Sequence, residues 1–68
     1  MRIAVMPSNI DPATAAPELL ATWTTTYNGT WAECLAAANG RLCVEVLDDD
    51  TGAELGRRLK RAWIARNA

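Results

Sequence analysis

The sequence predicts a small α+β domain: a mostly antiparallel β-sheet with one short helix, at about residues 31–38, packed on one face. Two segments, "RIAVM" near the N-terminus and "RLCVEVL" after residue 40, have the composition of strands. Between them lies "TWAE", a pattern that caps the start of a helix. A chain of 68 residues buries only about 60% of its unfolded surface, so we expect one domain, residues 1–68, with one small core.

The first predicted strand covers "RIAVM", with Ile3 and Val5 facing the core. Pro7 ends it, because proline cannot donate a hydrogen bond to a neighbouring strand. Residues 7–17 contain three prolines together with Ser, Asn and Asp, and we expect an ordered loop there.

The segment "LLATWTTTY", residues 19–27, fits either a strand or a helix. A helix would begin at Pro17, a residue favoured at the first helical position, and would align four apolar residues on one face: Leu19, Leu20, Trp23 and Tyr27. A strand would suit the threonines and aromatic residues, which are poor helix formers. We predict the strand.

The helix at residues 31–38 has the clearest signals. The Thr30 hydroxyl and the Glu33 carboxylate can each accept the other's backbone N–H, and Asn39-Gly40 supplies a left-handed stop. Helical spacing places four residues on one face: Trp31, Cys34, Leu35 and Ala38. We expect this helix to pack on its neighbours through Trp31 and Leu35.

The next strand, "RLCVEVL", is expected to point Leu42, Val44 and Val46 inward and Cys43 and Glu45 outward. Cys43 would then lie on the side away from the core, so we expect no Cys34–Cys43 disulfide. Two cysteines without any histidine also give no zinc site of the mixed type.

The stretch "LDDDTGAELGRRLKRAW", residues 47–63, has two structural interpretations. In a hairpin, residues 49–52 form a turn, which accounts for Gly52 and Gly56. In a helix, Thr51 and Glu54 form a second capping box, and the apolar stripe comprises Leu55, Leu59, Ala62 and Trp63. Gly56 would cost such a helix about 1 kcal/mol relative to alanine. We predict the hairpin, with a helical or extended end.

The acidic run resembles several catalytic patterns, but the chain is too short for them. "DTGA", Asp50–Ala53, matches an aspartic-protease loop, yet only 16 residues follow Gly52. Asp48-x-Asp50 matches a phosphotransferase pattern that requires a full doubly wound sheet. A calcium loop would need ligands over about 12 residues and two flanking helices. We expect no enzyme activity, no catalytic residues, no cofactor and no metal.

Charge divides the chain sharply. All eight acids lie within residues 1–54, which carry a formal charge of −6, whereas residues 55–68 carry +5. Arg and Trp dominate binding hot spots, so we predict a partner-binding surface formed by Arg57, Arg58, Lys60, Arg61 and Trp63. The expected partner is a larger protein. Nucleic acid is the rival, although a pI near 5.1 argues against a dedicated nucleic-acid binder.

The remaining expectations concern location and assembly. No apolar run approaches the roughly 18 residues of a membrane span, and the N-terminus lacks a signal-peptide core. We therefore expect a cytoplasmic protein without a membrane partner. The exposed sheet edges also allow a homodimer.

Finally, "TWAECLAAANGRLCVEVLDDDTGAEL", residues 30–55, combines a capped helix, a strand and an acidic turn. This layout resembles that of small phage- and prophage-encoded α+β proteins, among them anti-CRISPR inhibitors. The resemblance implies a bacterial or phage origin and stoichiometric binding to a host defence complex. It carries over no catalytic residues.

Overall fold

The computed structural model describes residues 1–7 and 9–67, and within them a three-stranded antiparallel sheet carries three α-helices. In chain order the elements are β1 (Arg2–Val5), α1 (Pro17–Trp23), β2 (Thr25–Asn28), α2 (Trp31–Ala38), β3 (Cys43–Glu45) and α3 (Gly52–Arg66). A single 3₁₀ turn, Pro12–Thr14, interrupts the predicted loop at residues 7–17, of which Ser8 lies outside the described residues. The α+β class and the antiparallel sheet are confirmed.

β1 is the central strand, and both of its faces are covered. It pairs with β2 and with β3, so that Ile3 lies opposite Tyr27 on one side and Glu45 on the other. Every residue from Ile3 to Met6 is at most 3% exposed. The strand and its inward Ile3 and Val5 were predicted correctly. Ala4 and Met6 are buried as well because helices cover the second face.

The two faces of the sheet carry separate apolar clusters. On the first, α2 covers Ile3 and Val5 with Cys34 and Ala38. On the second, α1 and α3 cover Met6 with Leu20 and Leu59, two leucines with no exposed surface. The prediction of one helix on one face is therefore wrong: helices pack on both faces, as successive strand residues point to opposite sides.

The predicted strand at residues 19–27 is only half right, because the chain forms α1 up to Trp23 and turns into β2 at Thr25. Pro17 occupies the start of the helix, as the alternative interpretation required. Complete burial of Leu20 between the sheet and α3 outweighs the weak helix propensity of Thr22 and Trp23, and the other threonines lie beyond the end of α1. Thr22 and Thr24 donate their hydroxyls to backbone carbonyls three residues earlier, which satisfies those groups locally.

The predicted hairpin after the acidic run is wrong, because residues 52–66 form α3. Thr51 and Glu54 make both hydrogen bonds of a capping box. Gly56 serves the packing of α3 on α1: a Cβ atom there would lie 2.0 Å from the carbonyl oxygen of Pro17. A Cβ at Gly52 would meet that of Ala21 at 3.7 Å, so the two helices run antiparallel and touch through backbone.

α2 has the predicted bounds and caps, but its packing face differs from the prediction. Thr30 and Glu33 form the capping box, and Asn39 adopts the left-handed conformation with φ 48°. However, Trp31 is 62% exposed and Leu35 49%. The small residues Cys34 and Ala38 make the contact instead, since they allow the helix to approach the sheet closely.

Cys43 was expected to face away from the core, and this prediction is wrong. It pairs with Val5 in the sheet and packs against the cluster beneath α2, on the same face as Cys34. Both cysteines are free thiols. Like the wrong number of helices, this error arises because helices lie on both sides of the sheet: Cys43 packs on one apolar cluster and Val44 on the other.

None of the helices in the described part of the chain combines the length and the apolarity needed to cross a membrane.

Candidate functional site

All five residues predicted to bind a partner lie on α3, but the helix sends them in different directions. At 3.6 residues per turn, Arg57 and Arg61 share one side with Ile64. All three are exposed, and Ile64 at 63% is the most exposed large hydrophobic residue in the described chain. We call Arg57, Arg61 and Ile64 the outer face of α3. Lys60 is half-buried at its border.

Arg58 is committed to the fold. Its guanidinium forms an ion pair with Asp50 and donates a second hydrogen bond to the backbone carbonyl of Glu45. The Asp50 side chain is only 7% exposed and also accepts the N–H of Leu47 at 2.9 Å. Arg58 and Asp50 therefore fasten the loop between β3 and α3 to the helix that follows it.

We call the Arg58–Asp50 pair the clamp, and it explains the role of Asp50, the aspartate of the "DTGA" pattern. Asp50 holds a structural arginine and a backbone N–H, whereas Asp48 and Asp49 lie exposed. Among the described residues, no group of three or more His, Cys, Asp or Glu side chains lies close enough together to hold a metal ion. The acidic run is thus a turn that leads into the capping residue of α3.

Trp63 lies on the inner side of α3, away from the outer face, and lines a cavity of about 340 Å³. The cavity is formed by three separate parts of the chain: the segment after β1, the connection between α2 and β3, and the last turn of α3. Its apolar lining consists of Met6, Pro7, Ile10, Pro12, Leu42 and Trp63, and its polar lining of Gly40, Arg41, Arg66 and Asn67.

Both arginines of the cavity are held by backbone carbonyls. Arg41 donates from Nε to the carbonyl of Ala38 at 3.1 Å and from Nη2 to that of Ala37 at 2.9 Å. Arg66 donates from Nη2 to the carbonyl of Gly40 at 2.7 Å. Arg41 thereby caps the C-terminus of α2, where the helix dipole favours a positive charge.

Two further apolar pairs are exposed, each at a spacing of four residues on one helix. Trp31 and Leu35 form one on α2, and Leu19 and Trp23, 46% and 38% exposed, form the other on α1. Trp31 and Leu35 were expected to pack on the neighbouring elements. Both pairs remain exposed because α2 packs on the sheet through Cys34 and α1 packs through Leu20.

Sequence reasoning found the charge of α3 but missed the cavity. The basic C-terminal segment follows from composition alone. The cavity joins residues more than 50 positions apart, and no local pattern marks Arg41 and Arg66 as neighbours.

In comparisons with known proteins, no family model, no curated protein and no solved structure matches this chain.

Proposed function

We propose that this protein is a non-enzymatic protein-binding module that docks on the acidic surface of a larger protein through the outer face of α3. The observation that carries the proposal is the combination of Arg57, Arg61 and Ile64 on one exposed helix face. By extension of the same role, the partner is a bacterial host complex that the protein inhibits by occupying its surface.

The chemistry of the outer face supports this role. Neither Arg57 nor Arg61 has a hydrogen bond or ion pair within the described chain, in contrast to Arg58. A planar guanidinium binds carboxylates through two parallel hydrogen bonds, and Ile64 adds apolar area beside the charges. Arginine next to apolar surface is a frequent composition of binding hot spots.

The platform beneath these side chains is rigid. Leu59 is fully buried on the opposite side of α3, and Gly56 brings the helix against the backbone of α1. Binding therefore requires little ordering of the backbone, which lowers the entropic cost of association.

Overall charge favours protein over nucleic acid as the partner. The net charge is −1 and the first 54 residues carry −6, so that most of the molecule repels a phosphate backbone. Two exposed arginines can neutralise only a few phosphates, and affinity for nucleic acid scales with that number.

The decisive variant reverses both charges of the outer face, Arg57→Glu with Arg61→Glu. Arg58 is left intact because its reversal would break the clamp on Asp50. Tagged wild-type and variant proteins are used to capture partners from bacterial lysate, and the captured proteins are identified by mass spectrometry. Arg2→Glu, which reverses an exposed arginine at the opposite end of the chain, is the matched control.

We expect proteins that wild type and Arg2→Glu retain and the double variant loses, with Ile64→Ser weakening capture as well. Equal capture by all variants would contradict the assignment of the face. A gel shift at about 50 mM salt that weakens steeply as salt rises would instead show a nucleic-acid partner, and a doubled mass in light scattering a second copy of this chain.

A further inference from the structure

We propose that the cavity lined by Trp63, Arg41 and Arg66 is a binding site for an apolar carboxylate, that is, a carboxylate joined to a hydrophobic group of about the size of an aromatic ring. This site lies on the inner side of α3 and does not depend on docking through the outer face.

The size of the cavity fits such a ligand. Its volume of about 340 Å³ lies at the lower end of the range of small-molecule sites, roughly 300–1,000 Å³. An apolar cavity of about 150 Å³ is enough for benzene. One aromatic ring with a short acidic chain therefore fits, whereas a nucleotide or a larger cofactor would protrude.

The lining selects for an apolar body. Six of the ten lining residues are apolar, with Met6, Ile10 and Leu42 also belonging to or packing on the cluster beneath α1 and α3. Trp63 offers an aromatic surface for stacking, an arrangement that contributes beyond simple area burial. No Asp or Glu lies among the lining residues.

Two arginines supply the positive charge. Arg41 uses two of its five N–H groups on backbone carbonyls and Arg66 uses one. Two hydrogen bonds orient the half-buried guanidinium of Arg41 and one orients the exposed guanidinium of Arg66, which reduces the side-chain entropy lost when a carboxylate binds the remaining N–H groups.

The helix dipoles reduce this charge without cancelling it. The C-termini of α2 and α3 both lie at the cavity, next to Gly40 and Asn67. Each contributes about half a negative charge, against one full positive charge from each arginine. The balance, about one positive charge beside an apolar wall, favours a monoanion over a cation or a neutral molecule.

The test uses 4-phenylbutyrate as the ligand and its neutral analogue 4-phenylbutyramide as the matched control. Binding to ¹⁵N-labelled protein is followed by NMR through the indole N–H signal of Trp63. We expect a saturable shift with a dissociation constant on the order of millimolar, as usual ligand efficiencies give for about a dozen non-hydrogen atoms. The amide should bind about tenfold more weakly, because it cannot form charge-assisted hydrogen bonds.

Two arginines of α3 are changed in turn to distinguish binding in the cavity from an effect of overall charge. Arg66→Gln should weaken 4-phenylbutyrate about tenfold, Arg66→Lys should restore much of that loss, and Arg61→Gln should leave binding unchanged although it removes the same charge from α3. The spectra themselves report whether each variant is folded. Acetyl-Gly-Phe with a free carboxylate, compared with its amide, tests whether the terminus of a peptide enters the same site.

Three results would overturn the proposal: no saturable shift with either acid, equal affinity for acid and amide, or equal losses in Arg66→Gln and Arg61→Gln. Binding of both acids supports it, and tighter binding of the peptide acid assigns the site to a chain terminus rather than to a free small molecule.

Discussion

The two faces of the sheet are covered in opposite ways. On the face of α1 and α3, large side chains point inward, where Met6, Leu20 and Leu59 are buried together, and a glycine brings the two helices into backbone contact. On the face of α2, the helix rests on Cys34 and Ala38 while its larger side chains stay in solvent. The helices of the first face thus bury their large side chains, whereas the second face leaves Trp31 and Leu35 exposed.

The largest effect is expected where α1 and α3 touch. Gly56→Ala gains about 1 kcal/mol in helix propensity, but its Cβ would collide with the carbonyl of Pro17 at 2.0 Å and force the helices apart. We expect a net loss of more than about 3 kcal/mol, a large part of the stability of a domain of this size. The measurement is the free energy of unfolding in urea.

Gly52→Ala is the control for this variant, because its new Cβ would make an ordinary contact of 3.7 Å with Ala21. It should leave stability within about 0.5 kcal/mol of the wild type. Similar losses in the two variants would contradict the close approach of the helices at Gly56.

The comparison of the two faces is tested directly by two leucines. Leu59→Ala removes a fully buried side chain beneath α3 and should cost about 3 kcal/mol through lost burial and the cavity left behind. Leu35→Ala makes the same chemical change on α2, where the side chain is half exposed. It should lower the free energy of unfolding by no more than about 0.5 kcal/mol. Thermal melts followed by circular dichroism give both values, and equal shifts would remove the distinction between the faces.

The clamp between the acidic turn and α3 should have a smaller effect. Asp50→Asn removes the charge that holds Arg58, and we expect a loss of about 2 kcal/mol, since the Asp50 side chain is nearly buried while Arg58 remains partly in solvent. Asp49→Asn changes an exposed neighbour and should be neutral. If chemical denaturation showed no difference between these two variants, Asp50 would have no structural role.

The smallest effect concerns the capping box of α2. The backbone N–H of Thr30 donates to the Glu33 carboxylate at 3.0 Å, and this hydrogen bond, together with one that the Thr30 hydroxyl donates to the same carboxylate, lowers the pKa of Glu33. A carboxyl group whose pKa is lower in the folded state stabilises the fold above its unfolded pKa and loses that contribution as pH falls through the folded value.

We therefore expect a slight loss of stability as pH falls below about 4.3, the usual pKa of glutamate. The Glu33→Gln variant should lose less stability over the same range. Urea unfolding at a series of pH values measures the difference, and parallel pH profiles for wild type and Glu33→Gln would show that Glu33 does not contribute.

Local signals in the sequence predicted the parts of the fold that depend on neighbouring residues. The capping box and the Asn39-Gly40 stop defined α2 to the residue, because each acts on backbone groups within four positions. The same signal at Thr51 and Glu54 also indicated α3, but the low helix propensity of Gly56 favoured the hairpin instead. The actual role of Gly56, to admit the carbonyl of Pro17, depends on a residue 39 positions away in sequence.

The candidate binding surfaces could likewise be predicted only in part from the sequence. Composition was enough to place positive charge on the C-terminal segment. The fold was needed to show which of these cations are available to a partner. Arg58 binds Asp50 and the Glu45 carbonyl and is therefore not part of the outer face. Trp63 likewise lies away from that face, in the cavity lining.

The sequence by itself determined the α+β class, the apolar strand near the N-terminus, the bounds of α2 and the uneven distribution of charge along the chain, because these follow from residue type and short-range hydrogen bonding. Tertiary structure decided how many layers cover the sheet, which side of each helix is buried, and which arginines stay free. Those outcomes depend on packing between segments distant in sequence, where one missing Cβ at Gly56 or one small residue at Ala38 sets how closely two elements approach.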